Sequence, residues 1–260
     1  MPDPVRFVGS GHIAMITLDR PAQRNAVDSE MAEQLESAVD RFEADPELRV
    51  AVLQANTEGQ QRPVFCAGAD LKAVGAGLLS SLHTARGGFA GFVYRQRTKP
   101  IVAAVDGLAT AGGLEIVLAC DVVVASTRSA FGLAEVRRNL IAAAGGLFRL
   151  PRVVGQAVAM DAILTAEPIP AQRAFDLGLV SRLSDPDRLA ADAHGVAGQI
   201  AQAGPLAVRA SREVVLAARG SEDTLREMSA TLLSQVAASE DTAEGLAAFV
   251  ERRQPVWKGR

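Results

Sequence analysis

The sequence predicts an α/β protein whose alternating strands and helices are followed by an all-helical C-terminal region. Three observations predict it. Short apolar runs of strand length alternate with stretches of helical periodicity through the first two thirds of the chain. From about Pro170 helical periodicity takes over. The 260 residues, 48 % apolar and 22 % charged, suffice for a sizeable core without disulfides or metals.

Val5–Val8 and Ile13–Leu18 read as strands around a turn at Gly9, Ser10 and Gly11. Asp28 or Ser29 caps a helix whose apolar positions Met31, Leu35, Ala38, Val39 and Phe42 share one face, with Pro46 beyond its end. Val50–Ala55 is a strand. Phe89, Phe92, Val93 and Gln96 fall at helical spacing, so Arg86 to Arg97 is expected to be a helix despite Gly87, Gly88 and Gly91. After Lys99-Pro100, Ile101–Val105 reads as a buried strand, Gly112–Cys120 as a short buried helix and Val122–Ala125 as a strand. Further helices are expected in Ala171–Leu177, Arg188–Ala203, Leu206–Ala218, Glu222–Ala238 and Ala243–Arg253, punctuated by Gly178, Gly204-Pro205 and Gly220. This alternation does not by itself choose between a doubly wound sheet and a spiral.

Composition narrows the function. Lys and Arg number 27 against 30 acids, a net charge of −3 without the basic excess of a nucleic-acid binder. Two cysteines, Cys66 and Cys120, are too few for a disulfide framework or a cysteine-rich zinc site, and a cytoplasmic setting is the default. The segment MPDPVRFVGS lacks the apolar run of a signal peptide. Ile101 to Ala125 has the length of a membrane span but carries Asp106, Glu115 and Asp121. Each would cost on the order of 2.5–3.5 kcal/mol in lipid, so the stretch reads as buried interior. Phosphate-cradling, dinucleotide-binding, nucleophile-elbow and metalloprotease motifs are missing, and His12, His83 and His194 are scattered. No metal is expected. Acid–base chemistry, if present, rests on carboxylates.

Two small-residue segments stand out: Phe65-Cys66-Ala67-Gly68-Ala69-Asp70-Leu71-Lys72, and Asp106 through Glu115 with Ala111-Gly112-Gly113 at a helix start. Both let backbone N–H groups approach a ligand, and two such donors converging on one point make an oxyanion hole. Tight packing turns are the ordinary alternative for each. Glu115 sits in an otherwise apolar helix, where a carboxylate must be paired, protonated or functional. Glu135 follows the strand-like run Ala130–Ala134, and its ordinary reading is a salt bridge to Arg137 or Arg138.

Together these residues resemble the crotonase (enoyl-CoA hydratase/isomerase) superfamily. The resemblance rests on Phe65 to Lys72, on Gly112-Gly113-Leu114-Glu115 with Cys120-Asp121, and on Phe131-Gly132-Leu133-Ala134-Glu135. It runs from Leu18-Asp19-Arg20-Pro21 and Arg24-Asn25-Ala26, through Ala171 to Val180, to Ala248–Arg253. It implies a crotonase-type α/β spiral of ββα turns in about residues 1–200. Residues 201–260 would then form a C-terminal helical region for trimerisation, as a homotrimer or as a homohexamer made of two trimers. It implies an acyl-coenzyme A thioester as substrate and no separate cofactor; the acidic charge and the carboxylates of Ile101 to Ala125 speak against a nucleic-acid or membrane partner.

By the same resemblance Ala69 and Gly112 supply the oxyanion-hole N–H groups. Arg24, Ala26, Ala67, Asp70, Leu71 and Lys72 border the coenzyme A moiety. Phe249 and Arg252 match positions that help close over the nucleotide, within the subunit or from a neighbour. Glu115 and Glu135 match the two hydratase glutamates: Glu115 as base on water, Glu135 as proton donor to C2. Isomerising relatives usually keep only the second, so the pair favours an enoyl-CoA hydratase acting in fatty acid or related acyl-CoA degradation. The alternatives are an isomerase, a carnitinyl-type dehydratase for a polar acyl group, and a non-catalytic acyl-CoA binder. The sequence departs from the hydratase pattern in having Asn139, Ala142 and Ala143 for Gly, Pro and Gly. Asn139 tolerates the left-handed backbone that glycine would adopt, Ala142 is expected to loosen the turn, and Ala143 to narrow the water site.

Overall fold

Val50–Ala55 and Ile101–Val105 are apolar nearly throughout because both faces of each strand are buried. The computed structural model describes residues 3–70, 72–73, 79–218, 231–236 and 238–260. The strands are β1 (Val5–Ser10), β2 (Ile13–Leu18), β3 (Val50–Ala55), β4 (Val64–Cys66), β5 (His83–Thr84), β6 (Gly88–Phe89), β7 (Ile101–Val105), β8 (Leu108–Thr110), β9 (Val122–Ser126), β10 (Ala130–Gly132), β11 (Ile169–Pro170) and β12 (Arg182–Ser184). The helices are α1 (Ser29–Ala44), α2 (Gly112–Leu118), α3 (Gly146–Val154), α4 (Gln156–Thr165), α5 (Ala171–Asp176), α6 (Leu189–Gln202), α7 (Pro205–Ala217) and α8 (Glu240–Glu251).

Six strands form one sheet in the order β1-β2-β3-β7-β9-β12, and four form a second in the order β11-β10-β8-β4. Each turn of the chain lays one strand in each sheet: β3 then β4, β7 then β8, β9 then β10. This is the expected spiral. Alternation along the strands divides the core. Ile13, Val50, Val52, Val102, Ala104 and Val124 pack on Leu189, Ala193, Val196 and Ala197 of α6. Their neighbours Ile16, Leu53, Ala103 and Val105 join Met31, Leu35 and Phe42 of α1 and Phe131 of β10 in the main core. Ile101 to Ala125, the stretch long enough for a membrane span, folds as β7, β8, α2 and β9 inside this interior. Among the described residues no helix is long and apolar enough to cross a membrane.

Asp28 caps α1 by accepting the Met31 N–H at 2.9 Å, and all five expected apolar positions of that helix are buried. The Arg86–Arg97 helix does not form. The segment is instead β6 and a series of turns. Gly88, Ala90 and Gly91 have φ of 65°, 59° and 64°, outside the right-handed helical region. A side chain at Gly91 would also collide with the Ala32 carbonyl of α1. Helices α3 and α4 lie where no element was expected. The expected Glu222–Ala238 helix falls largely outside the described residues.

Candidate active site

Parallel strands bring the two small-residue segments together. β4 pairs with β8, Val64 opposite Leu108 and Cys66 opposite Ala109, so the loops leaving their C-terminal ends start side by side. After β4, Val27 N–H donates to the Gly68 carbonyl and Asp70 N–H to the Val27 carbonyl, both at 2.8 Å. The Ala69 N–H takes part in neither bond. After β8, the Ala111 N–H donates to Gly132 of β10 at 2.9 Å, and α2 begins at Gly112, whose N–H has no intrahelical partner. The two loops touch. A Cβ on Gly68 (φ 83°) would lie 2.8 Å from the Gly112 nitrogen. Ala69 and Gly112 thus lie on touching segments, and neither N–H has a backbone acceptor among the described residues.

The turn into α2 carries strain. Ala111 has φ 52° and ψ −129°, a conformation that disfavours any Cβ. Ala111→Gly should therefore stabilise the fold by about 1 kcal/mol, net of the glycine's extra entropy in the unfolded chain. A urea melt with unchanged slope but no higher midpoint would show that no strain is stored there.

Glu115 is the fourth residue of α2, 3 % exposed, and its Oε1 accepts the Gly146 N–H at 2.9 Å. The carboxylate therefore caps the N-terminus of α3, where N–H groups and helix dipole favour negative charge. Burial nevertheless dominates and pushes its pKa up to about 7. The Gly146 N–H opposes that rise, the Glu135 charge adds to it, and the Ala144 N–H and Arg149 oppose it.

Glu135 opens a short helical turn after β10, which is parallel to β8. That turn closes at Asn139 in the left-handed conformation, φ 55° and ψ 37°, the backbone expected of an asparagine standing where glycine is usual. Glu135 makes no ion pair with its neighbours. Arg137 binds Glu167 at 2.6 Å, while Arg138 acts on Glu135 only through its charge. The Oε2 of Glu135 is buried without a hydrogen-bond partner, and burial raises its pKa above the ordinary carboxylate value. An unpaired buried oxygen of this kind is costly for folding alone.

Beside Glu135 opens a cavity of about 280 Å3, lined by Leu133, Val136, Leu147, Met160 and Ile163 among other apolar side chains. Gln156 is its only polar lining residue besides Glu135 among the described residues. Leu133 and Ala142 line this cavity and flank Gly146 together with the Glu115 carboxylate: a Cβ on Gly146 would meet all three within 3.1 Å. A larger cavity of about 720 Å3 lies between Tyr94–Thr98, the end of α2 and α7; neither glutamate lines it.

The flanking positions are placed unequally. Asn25 is fully buried with φ 52°, and its amide donates to the Asn56 and Val64 carbonyls at 2.9 and 3.1 Å. It fixes the turn that exposes Arg24, whose carbonyl accepts the Ala67 N–H at 3.1 Å. Ala26 is buried, its carbonyl taken by Arg20. Asp70 is held by the same Arg20 at 3.3 Å and accepts the Lys72 N–H at 3.0 Å, so its carboxylate ties the loop together. Lys72 is exposed. Leu71 lies outside the described residues.

Arg252 is exposed after α8, and nothing is described of the Phe249 side chain. The C-terminal tail anchors through Trp257 Nε1 to the Gln202 carbonyl at 2.7 Å and through Arg49 to the Trp257 carbonyl at 3.0 Å. Arg49 precedes β3, whereas the Arg24 loop follows the parallel strand β2. The two ends are separated by six residues of strand, about 20 Å.

Ala143 and Ala142, two departures from the family pattern, face different ways. Ala143 is exposed, with its carbonyl accepting the Tyr94 hydroxyl at 2.8 Å, while the buried Ala142 points to the cavity. The donors to Glu115, Gly146 and Ala144, were not singled out from the sequence. The available signal was Gly145-Gly146 at the start of an apolar, helix-compatible run.

Residues 9–260 match the family model described as enoyl-CoA hydratase/isomerase. The (E)-benzylidenesuccinyl-CoA hydratase of Thauera aromatica is 39 % identical over 98 % of this chain and 99 % of its own. The carnitinyl-CoA dehydratase of Salmonella arizonae is 36 % identical over the full length of both. Among solved structures, an enoyl-CoA hydratase from Mycobacterium tuberculosis superposes with a TM-score of 0.93 at 41 % identity, covering 99 % of this chain and 100 % of that one. The protein is a member of the enoyl-CoA hydratase/isomerase family, with the crotonase fold.

Proposed function

We propose that the protein is an enoyl-CoA hydratase that adds water reversibly and syn across the C2=C3 bond of an apolar trans-2-enoyl-CoA. The observation that carries the reading is one buried and one half-buried acid, both with raised pKa and acting on one another, beside two backbone donors and an apolar cavity. The Ala69 and Gly112 N–H groups hold the thioester oxygen. As water attacks C3, electrons move through the conjugated system onto that oxygen, and fixed dipoles stabilise the developing enolate without reorganising. Glu115 takes the proton from the attacking water, and a pKa of about 7 suits a base working near neutral pH. Glu135 delivers a proton to C2, restoring the thioester and leaving a 3-hydroxyacyl-CoA.

The acyl class follows from the cavity. Its described lining offers no lysine or arginine for a second carboxylate on the substrate, and no acid other than Glu135 for a quaternary ammonium. Burying either charge unpaired would cost several kcal/mol. The expected substrates are therefore uncharged chains of short to medium length. Assembly as trimers or paired trimers through residues 201–260, with the coenzyme A moiety bordered by Arg24, Ala26, Ala67, Leu71 and Lys72, belongs to the same proposal.

Two measurements test it. Loss of conjugated absorbance should show crotonyl- and octenoyl-CoA hydrated at least about tenfold better in kcat/KM than crotonobetainyl-CoA. Glu135→Gln should lower turnover of the best thioester by about 10²–10⁴. A preference for the charged substrate would overturn the apolar assignment, and a wild-type enzyme no faster than the Glu135→Gln variant would remove Glu135 from the chemistry.

A further inference from the structure

The mechanism uses Glu115 but leaves open what holds a buried carboxylate in its ionised form. Its donors come from the 143–146 turn at the start of α3, and that turn is braced from behind. The Tyr94 hydroxyl donates to the Ala143 carbonyl at 2.8 Å. The Arg149 guanidinium lies 5.5 Å from the Tyr94 ring centroid and donates through Nη2 to the Val93 carbonyl at 2.6 Å. Arg149 Nη1 is buried without a hydrogen-bond partner, against Gly145, where a Cβ would come within 2.6 Å of it. Among the described residues no carboxylate forms an ion pair with Arg149. The half-buried guanidinium lines the larger cavity with only Nη1 shut in; a partly desolvated cation without an acid of its own is costly, and the acid whose field it feels is Glu115.

We propose that Arg149 is a positioning residue for Glu115. Clamped by Val93 and Tyr94, it fixes the turn that presents the Gly146 N–H, and it supplies the positive charge behind that turn which favours the ionised base. The inference rests on the assignment of Glu115 as base. The charged groups acting on Glu115 are Glu135, from the turn after β10, and Arg149, from α3. Those acting on Arg149 besides Glu115 are Tyr94 and Arg97, from the segment after β6, and Arg152 of α3.

The test is the pH dependence of kcat for hydration of crotonyl-CoA by wild type, Arg149→Met, Arg149→Lys and Tyr94→Phe, with folding checked by circular dichroism. Removing the charge and loosening the turn both raise the Glu115 pKa, so the acid limb of Arg149→Met should move to higher pH by about 0.5–1 unit. KM should stay within about threefold, and Arg149→Lys, which keeps the charge, should recover at least half of the shift. Tyr94→Phe should lower kcat by roughly threefold to tenfold with little movement of the limb. A limb in Arg149→Met coincident with wild type, or one shifted equally in Arg149→Lys, would overturn the electrostatic role. An unchanged kcat in Tyr94→Phe would overturn the brace, and it is the decisive variant if the Arg149 variants do not fold. Glu115→Gln separates this proposal from the reading beneath it. If that variant is inactive while the Arg149 profile is unmoved, only the positioning role falls; if it stays active, the base assignment itself falls.

Discussion

Glu115→Gln should give a protein that is nearly inactive and, above neutral pH, more stable than its parent. The activity loss follows from removing the base: glutamine cannot take a proton from water, and turnover should fall by about 10²–10⁴. The stability gain has a separate origin. Burial raises the Glu115 pKa from 4.5 to about 7, so the folded chain binds that proton more tightly than the unfolded chain does. Stability therefore declines as pH rises from about 4.5 to about 7 and stays at the lower level above that. The full interval corresponds to about 3 kcal/mol, and local relaxation lowers the expected gain at pH 8 to about 1–3 kcal/mol. Glutamine keeps an oxygen to accept the Gly146 N–H, so the cap survives. Urea melts at pH 8 and pH 4.5 check the sign: the gain should be present at the first and largely absent at the second. A variant less stable than the parent at pH 8 would mean that the carboxylate is not held at a cost.

Gly68→Ala should abolish most activity without touching any acid. The residue has φ 83°, which a side chain disfavours, and its Cβ would press to 2.8 Å from the Gly112 nitrogen and 3.2 Å from the Thr110 carbonyl. Neither neighbour is a flexible side-chain tip. The two donor segments would have to separate, and even loss of one oxyanion donor costs about 10²–10³ in turnover. The expected signature is a fall in kcat of at least that size, with stability lowered by about 1–3 kcal/mol. Crotonyl-CoA turnover in a folded variant within tenfold of wild type would show that the Ala69 and Gly112 N–H groups do not act on one oxygen.

Local features were legible wherever local chemistry decides the outcome. A cap at Asp28 or Ser29, the five-residue apolar face of α1 and the strands Val50–Ala55 and Ile101–Val105 depend on periodicity and neighbouring residues; the cap fell to Asp28 and the others formed as read. Asn139 took the left-handed conformation for which its short polar side chain is suited. Arg86–Arg97 was misread because its apolar spacing is helical while its glycines are committed to a close approach to α1, a tertiary demand with no local signature.

Which residues are acids, which segments are small enough to expose their N–H groups, and that a ligand with a polarisable oxygen suits them were all set by residue type along the chain. What the acids do to one another was not. Glu115 meets its donor 31 residues away and the turn beneath it is held by a tyrosine 49 residues from its acceptor. Parallel pairing of β4, β8 and β10 brings the loops carrying Ala69, Gly112 and Glu135 to one end of the sheet, and side-chain bonds tie the Tyr94 segment and the 143–146 turn to them. Proton affinities there depend on burial and on charges across space, so only the folded chain fixes them.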